Sequence, residues 1–352
     1  MTEPGLVGAD LRTRIDAVLH EFVEHEAVLL EDVNPELKPI GAQLRAAVAD
    51  GKRLRGMFCY WGWRAAGQGD SDAAVRAAAS MELVHAAALV HDDLIDDSVI
   101  RRGSPSAYVA LREAVPEWRT DREAAARALA MLVGDLLMAW AGQLFASCGL
   151  PGAYVARARP LWSTLARELI AGECLEVLRA GSEIPAGDAV EVARFKTAKY
   201  TVEHPLHIGG KLGGASDALL RTFTAYGVPL GEAFQLRDDL LSVFGDSALT
   251  GKSNLDDVAG AKPTALLACA LETADEEERA ELRSLLGRVD LGAAELDRLR
   301  ALLEQTGARR RVETMIERRA HAARRALART SIPRQASDAL HELVGAVVDR
   351  DS

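Results

Sequence analysis

Residues 81–97 read MELVHAAALVHDDLIDD, and this stretch decides the fold. Alanine, leucine and valine dominate it up to His91, so it predicts a helix that is apolar on most faces and buried among other helices. Four aspartates then follow within six residues. Because Asp92 and Asp96 are four residues apart, their carboxylates stack on one face of that helix. Burying unpaired carboxylates is costly, so the stretch predicts a bound cation within a helical bundle.

The rest of the chain favours the same class. Its 352 residues are 49% hydrophobic and 27% charged, which suits a folded protein with a large core. Aromatic residues make up 5% and the alternating runs typical of strands are missing, so we predict an all-α fold. We expect one large helical bundle with a central cavity over residues 15–352, after a flexible N-terminus over residues 1–14, and a kink at Pro205. The predicted helices cover residues 9–31, 37–49, 53–67, 72–97, 121–147, 152–180, 188–212, 216–244, 263–274, 276–287, 294–305, 308–330 and 334–349.

Charge and cysteine patterns exclude several classes of function. The formal net charge is −10, and the densest arginine run, residues 309–325, alternates with acids as a solvated helix face does. This argues against nucleic acid and anionic lipid as partners. The four cysteines are far apart and form no metal-binding spacing, so we expect buried thiols in a reducing compartment. We identify no signal region and no apolar run of membrane-spanning length, and the expected location is cytoplasmic.

A second acidic pair, Asp238-Asp239, interrupts the apolar run AFQLRDDLLSVFGD at residues 233–246. If its helix packs opposite the first, Asp92, Asp96 and Asp238 face one another across the cavity. Magnesium is the expected cation, because it takes hard oxygen ligands and is usually shared with a substrate phosphate. We therefore predict a cluster of magnesium ions held by these three carboxylates.

Together with several basic motifs, the aspartates resemble the trans-isoprenyl diphosphate synthases, the polyprenyl synthetase family, from about residue 15 to the C-terminus. One aspartate motif alone is a weak signal, but five motifs in the family's order are a strong one. They are Gly51-Lys52-Arg53-Leu54-Arg55, His85 with the first aspartate motif, Arg101-Arg102-Gly103-Ser104-Pro105, Lys196-Thr197-Ala198, and Phe234-Gln235 with Asp238-Asp239.

The resemblance implies head-to-tail condensation of isopentenyl diphosphate with an allylic diphosphate. Two highly charged substrates need two basic sites, since arginine matches phosphate oxygens with a planar fork and lysine supplies a compact charge. The residues implied for isopentenyl diphosphate are Lys52, Arg55, His85 and Arg102. Those implied for the allylic diphosphate are Arg101, Lys196, Lys252 and Lys262.

Taken singly, these basic residues have ordinary explanations. Residues 52–55 read as a basic helix start, His85 as a core histidine, and Arg101-Arg102 as part of a solvated Gly/Pro loop. The joint pattern favours the binding roles.

The resemblance also implies catalytic roles for Lys196, Thr197 and Gln235. The reaction ionises the allylic carbon–oxygen bond, so the side-chain oxygens of Thr197 and Gln235 would stabilise an allylic cation, and pyrophosphate would take the proton. We assign no protein base.

Further acids are expected behind the metal ligands, and these are Asp93, Asp239 and Glu176. Glu173 and Glu176 stand where the family has glutamine and aspartate, and we expect them to orient Lys196 or metal waters. A surface acidic pair is the alternative for these glutamates. A solvated helix end is the alternative for Asp97 and Asp93.

Product length in this family depends on the residues just before the first aspartate motif, where a bulky aromatic closes the pocket. Ala87 and Ala88 leave it open, which favours a product longer than farnesyl, with geranylgeranyl diphosphate the first choice. Ordinary close helix packing is the alternative. Larger side chains expected to form the floor are Val84, Met81, Met138 and Trp140.

Two other functions share part of this pattern. A class I terpene cyclase has the aspartate motif but no use for the isopentenyl diphosphate set, and a non-catalytic regulatory subunit of a prenyl synthase keeps the fold. The family is usually homodimeric, and residues 121–147 are the expected interface. Departures from the family pattern are Gly56 in place of proline, Ser242 in place of the third aspartate, and the altered loop at residues 256–262.

Overall fold

The alanine- and leucine-rich runs fold into helices throughout the residues that the computed structural model describes, namely 4–245, 262–288 and 291–348. The first half contains α1 Pro4–Val33, a 3-10 turn Pro35–Leu37, α2 Lys38–Val48, α3 Leu54–Ala65, α4 Asp72–Ile95, α5 Ala107–Arg112 and α6 Arg122–Ala146. Next come α7 Gly152–Arg179, α8 Ala186–Ala193, a π-helical segment Arg194–Glu203, α9 His204–Gly213 and α10 Asp217–Phe244. The last helices are α11 Ala265–Thr273, α12 Glu276–Leu285, α13 Ala293–Gln305, α14 Ala308–Ala328 and α15 Arg334–Val348.

The predicted all-α class is confirmed, and local capping explains why the helix limits follow the sequence. Ser71 accepts a hydrogen bond from the N–H of Ala74 at the start of α4, and Ser216 does the same for Leu219 in α10. The predicted elements do not include α5 or the two-stranded antiparallel hairpin of β1 Ile100–Arg101 with β2 Ser104–Pro105. Strands of two residues are too short to show an alternating pattern.

The chain's contacts group into two compact units. The first comprises the residues up to Arg159 together with Pro205–Ala215, and in it α4 packs along α6 and α3. Its α1 begins at Pro4, and Leu11 is buried one turn before Ile15. A flexible N-terminus over residues 1–14 stays a prediction.

The second unit comprises Pro160–His204 and the residues from Ser216 onward, and in it α10 packs against α14 and the π-helical segment. Glu232 of α10 is buried and accepts hydrogen bonds from Arg194 at 2.6 Å and from Arg319 at 2.7 Å. One carboxylate thus ties three helical segments of this unit together. A single domain over residues 15–352 stays a prediction.

Two sequence-based expectations need correction. Helices α4 and α6 are long and apolar enough, by length and composition, to cross a membrane, although no such run was expected. In α4, 72% of the most apolar 18-residue stretch is buried, as in a core helix. The cysteines were expected to be buried, but Cys174 is exposed while Cys59, Cys148 and Cys269 are buried, because Cys174 lies on the outer face of α7.

Candidate active site

The first aspartate motif lies at the end of α4. An oxygen of Asp92 and an oxygen of Asp96 lie within 4.8 Å of each other, and both residues are partly exposed. This pair offers hard oxygen donors at a spacing that fits magnesium. Asp97 is exposed and pairs with Arg127 at 2.6 Å, as a solvated helix end does. Asp93 is only 3% exposed, so that explanation does not hold for it.

The β1–β2 hairpin brings Arg101 back to these aspartates. Its two-residue turn, Arg102-Gly103, has positive φ at both positions, the geometry that suits the twist of a tight hairpin. Arg101 donates from Nε to Asp93 Oδ1 at 2.8 Å and from Nη2 to Asp92 Oδ2 at 3.3 Å. Burial lowers the pKa of Arg101, but the bond to Asp93 and the nearby carboxylates outweigh it and raise the pKa. Arg101 is therefore not a solvated loop residue.

Arg53 holds the loop that carries Lys52. It adopts a left-handed backbone conformation, is almost fully buried, and donates to Asp16 Oδ1 at 2.5 Å and to the Val48 carbonyl at 2.6 Å. Its third bond, to the Asp50 carbonyl, is shared with Arg102. The basic helix-start explanation fails for Arg53, which faces inward while Lys52 is exposed.

His85 lies within a set of positive charges from its own unit. Burial lowers the pKa of His85 well below the ordinary histidine value, and the guanidinium groups of Arg55, Arg102, Arg101 and Arg53 lower it further. The imidazole is therefore neutral at neutral pH. Burial, Arg53 and Arg101 likewise lower the pKa of Arg102. Positive charges gathered in this way favour an anion such as a diphosphate.

A backbone hydrogen bond explains why glycine at position 56 replaces the proline common in the family. The backbone N–H of Gly56 donates to Glu82 Oε1 at 2.7 Å, and Glu82 is buried on α4. A proline at this position has no N–H to donate.

In the second unit, Lys196 and Thr197 lie on the π-helical segment. The His204 N–H bonds to the Lys199 carbonyl five residues earlier, so the turn is wider than in an α-helix. Pro205 follows at once, and proline crowds the preceding helical turn. The kink expected at Pro205 stays a prediction, and the widened segment ends just before this residue.

Two acids of α7 hold Lys196. Its Nζ lies 3.2 Å from Glu173 Oε2 and also contacts Glu176 Oε1, which is 3.9 Å from Lys262 Nζ. All four side chains are largely shielded from solvent. Glu173 and Glu176 are therefore not a surface acidic pair.

The second aspartate motif is organised by bonds within α10. Gln235 Nε2 donates to Asp239 Oδ1 at 2.9 Å, which fixes the direction of the Gln235 amide. Asp239 is buried and Asp238 is partly exposed. Ser242 donates to the Asp239 carbonyl at 2.9 Å. Lys252 and most of the altered loop, residues 256–261, lie outside the described residues.

The residues before Asp92 differ in burial. Ala88 is partly exposed and, four residues before Asp92, shares its face of α4, whereas Ala87 is fully buried on another face. Of the larger side chains expected to form the floor, Met138 is partly exposed and Met81, Val84 and Trp140 are buried. Trp140 packs edge-on against Phe22 of α1, with ring centroids 6.2 Å apart.

Two residues next to the first aspartate motif, His91 and Gly134, are not among the predicted site residues. His91 Nε2 lies 3.2 Å from the Met131 carbonyl, and a Cβ on Gly134 would overlap the His91 ring. Gly134 of α6 thus makes room for the side chain directly before Asp92. A glycine inside an apolar helix is the available signal for such a close approach.

The sequence profile of the polyprenyl synthetase family matches residues 38–303, which include all the motifs described above. The chain belongs to the polyprenyl synthetase family. The family and enzyme class expected from the motifs are confirmed: this polyprenyl synthetase is a prenyltransferase, a trans-polyprenyl diphosphate synthase. The match does not support the terpene cyclase alternative.

Several relatives resemble this polyprenyl synthetase over most of its length. The crystal structure of geranylgeranyl pyrophosphate synthase from Corynebacterium glutamicum, complexed with isoprenyl diphosphate and magnesium, has a TM-score of 0.91 and 32% identity, covering 97% of this chain and 98% of that one. Geranylfarnesyl diphosphate synthase of Aeropyrum pernix is 28% identical over 94% of this chain and 99% of its own. Octaprenyl diphosphate synthase of Escherichia coli is 30% identical over 74% of this chain and 75% of its own. These names span several product lengths, so similarity alone does not assign one.

Proposed function

We propose that this polyprenyl synthetase condenses isopentenyl diphosphate with dimethylallyl, geranyl or farnesyl diphosphate and makes geranylgeranyl diphosphate. The observation that carries the product length is Ala88, whose small methyl group lies four residues before Asp92 on the same face of α4. A side chain this small leaves room for a chain longer than farnesyl. The buried Met81 and Val84 lie further along the helix and are the proposed stop.

The isopentenyl diphosphate site is proposed at Lys52, Arg55, His85 and Arg102. The charges gathered around His85 support this assignment, because they stabilise a bound anion. A neutral imidazole still donates one hydrogen bond to a phosphate oxygen. For the allylic diphosphate, the proposed residues are Arg101, Lys196, Lys252 and Lys262.

Asp92, Asp96 and Asp238 are the proposed ligands of a magnesium cluster. Magnesium, when bound, stabilises the negative charge that builds on the departing pyrophosphate. Three further acids are proposed to support the site, each through a contact in its own unit. Asp93 holds Arg101, Asp239 holds Gln235, and Glu176 holds Lys196.

Thr197 and Gln235 are proposed to act on the allylic carbon. When its bond to the diphosphate oxygen breaks, their side-chain oxygens face the cation without trapping it. The double bond of isopentenyl diphosphate supplies the electron pair of the new carbon–carbon bond, and pyrophosphate takes the proton that is lost. Lys196, oriented by Glu173 and Glu176, offsets charge on the leaving group.

We further propose a cytoplasmic homodimer that associates through α6. The exposed Met131 and Leu132 on this helix support the interface, because apolar side chains in contact with water favour association. The mass of the purified protein in solution tests the assembly.

The deciding experiment incubates the purified protein with magnesium, isopentenyl diphosphate and each allylic primer, and identifies the alcohols that phosphatase releases. Geranylgeraniol as the main product supports the proposal, and a product that stops at farnesol contradicts it. Activity that requires a second protein would favour the regulatory subunit instead.

A further inference from the structure

The π-helical segment Arg194–Glu203 is unusually long. Helices of this kind mostly occur as single wide turns, because their hydrogen bonds are less favourable than those of an α-helix. Here ten residues adopt the form, and Lys196 and Thr197 lie within it. Pro205 accounts for its last turn only, so other contacts must hold the rest.

Three glycines on neighbouring helices give the widened segment its space. A Cβ on Gly172 of α7 would overlap the backbone nitrogen of Lys196, and one on Gly231 of α10 would lie 2.5 Å from the Cα of Ala198. A third, on Gly227, would lie 2.9 Å from the Cα of Glu203. The backbone of the segment is thus in direct contact with two helices of its own unit.

A group of ionisable side chains not used in the proposed mechanism fixes the far end of the segment. Lys199 Nζ lies 3.0 Å from Glu168 Oε2 of α7 and 3.2 Å from Glu203 Oε2. Thr224 of α10 donates to Glu203 Oε1 at 2.7 Å, and His204 Nε2 lies 2.8 Å from Glu168 Oε2. We call Glu168, Lys199, Glu203, His204 and Thr224 the Lys199 network.

Lys199 is the cation that makes this network stable. Burial raises the pKa of Glu168, but the hydrogen bonds from Lys199 and His204 outweigh this effect and lower the pKa below its ordinary value. Burial lowers the pKa of His204, whose Nδ1 has no hydrogen-bond partner in the part of the chain that the structure describes. A neutral His204 leaves Lys199 as the positive charge between two carboxylates, and removing one partner of a buried ion group is strongly destabilising.

We propose that Lys199 is a positioning residue, which keeps the segment in its wide form so that Lys196 and Thr197 point toward the allylic diphosphate; this rests on the proposed function. Tightening a helix by one residue turns the side chains before that point by about 100°. Lys196 and Thr197 precede Lys199 by three and two residues, so such a shift turns both away.

The test compares Lys199→Met and Lys199→Arg with Arg309→Met. Arg309 is a matched control. It lies between two carboxylates, Glu304 and Glu313, and over the Phe244 ring, as Lys199 lies between two carboxylates and over the Phe195 ring, and these partners of Arg309 lie outside the segment. We expect Lys199→Met to lower kcat about 10- to 100-fold, the effect of misplacing reacting groups by about 1 Å. Lys199→Arg should recover most of this loss, and Arg309→Met should stay within about twofold of the wild type.

Two further measurements separate positioning from plain stabilisation. The KM for isopentenyl diphosphate should not change, because the residues proposed to bind it have no part in the Lys199 network. Amide hydrogen exchange over residues 194–203 should be faster in Lys199→Met and unchanged in Arg309→Met. If Lys199→Met does not fold, Glu168→Gln keeps the shape of the network, removes one charge and should show the same changes to a smaller degree.

An unchanged kcat, or a loss of kcat that follows the folded fraction with normal exchange in 194–203, would overturn the proposal. If the wild-type protein itself does not condense the two diphosphates, the proposed function fails. The exchange measurement then still decides whether Lys199 holds the segment.

Discussion

The backbone N–H of Gly56 donates to Glu82 Oε1 at 2.7 Å, joining α3 to α4 inside the first unit. Gly56→Pro restores the residue common in the family and is tolerated in a first helical turn, but it leaves the buried Glu82 carboxylate without this donor. We expect the free energy of unfolding to fall by about 1–3 kcal/mol relative to Gly56→Ala, which keeps the N–H. Denaturant titration of both variants measures the difference, and equal stability would show that the bond contributes nothing.

The aspartates of the first motif should differ sharply in their effect on catalysis. Asp92→Asn or Asp96→Asn should lower kcat/KM about 100-fold or more and raise the magnesium concentration needed for half-maximal rate. Asp97→Asn is the control: it is exposed and paired with Arg127, so kcat/KM should stay within about threefold of the wild type. A large loss in Asp97→Asn would show that the assignment of the metal ligands is wrong. Chelation of magnesium should abolish condensation.

Because Ala88 and Ala87 differ in burial, we expect different outcomes when each is replaced by phenylalanine. Ala88→Phe places a ring on the face shared with Asp92, so the main product should shorten toward farnesyl diphosphate while the protein stays folded. Ala87 is fully buried, so Ala87→Phe should instead destabilise the fold by about 1–3 kcal/mol through overpacking. Product analysis and thermal unfolding of both variants test this. An unchanged product from Ala88→Phe would remove Ala88 from the pocket wall.

His85 should make stability depend on pH in a defined direction. Its folded-state pKa lies well below the ordinary value of 6.5, so the unfolded chain binds a proton first as the pH falls. Stability is therefore lost as the pH drops below about 6.5, by up to about 1.4 kcal/mol per pH unit until the folded pKa is reached. His85→Gln removes this contribution, so its unfolding free energy should fall less than that of the wild type between pH 7 and pH 5. If the unfolding free energies of the wild type and His85→Gln fell equally over this pH range, the lowered pKa of His85 would be contradicted.

Gly134 and Gly142 lie on the same helix and offer a matched pair. Apart from the backbone of α6 itself, a Cβ on Gly142 would meet no described atom within 4 Å, so Gly142→Ala should leave activity unchanged and stabilise α6 by about 0.5–1 kcal/mol. Gly134→Ala pushes against the His91 ring, next to Asp92, and should lower both the melting temperature and kcat. Equal behaviour of the two variants would show that the His91 ring moves aside freely.

Helix limits were predictable where the signals are local. Residues 216–244 were predicted for α10 and Asp217–Phe244 are observed, because Ser216 caps one end and Gly245 follows the other. The π-helical segment was not predictable, since ten residues are too few to separate its wider period from that of an α-helix. It depends on glycines of two other helices, which no local pattern reveals.

In the candidate site, too, residue types and their order were predictable from the sequence, but contacts between distant residues were not. The sequence identified Asp92, Asp96 and the arginines of the hairpin as chemically important, because their types and order are unusual. It did not indicate that Arg53 faces inward, since that direction depends on Asp16, 37 residues earlier in the chain. Long-range partners, rather than residue type, decide the direction of the Arg53 side chain.

The two-residue turn of the hairpin has a consequence for how this protein can vary. Surface loops usually accept insertions. Here Arg101 and Arg102 are adjacent, yet one bonds to Asp93 and the other to the carbonyl of Asp50. An inserted residue would replace the two-residue turn with a longer one and change the backbone geometry that directs Arg102 away from Arg101. The length of this exposed loop is therefore constrained by the different partners of its two arginines, and a redesign that extends it should preserve both contacts.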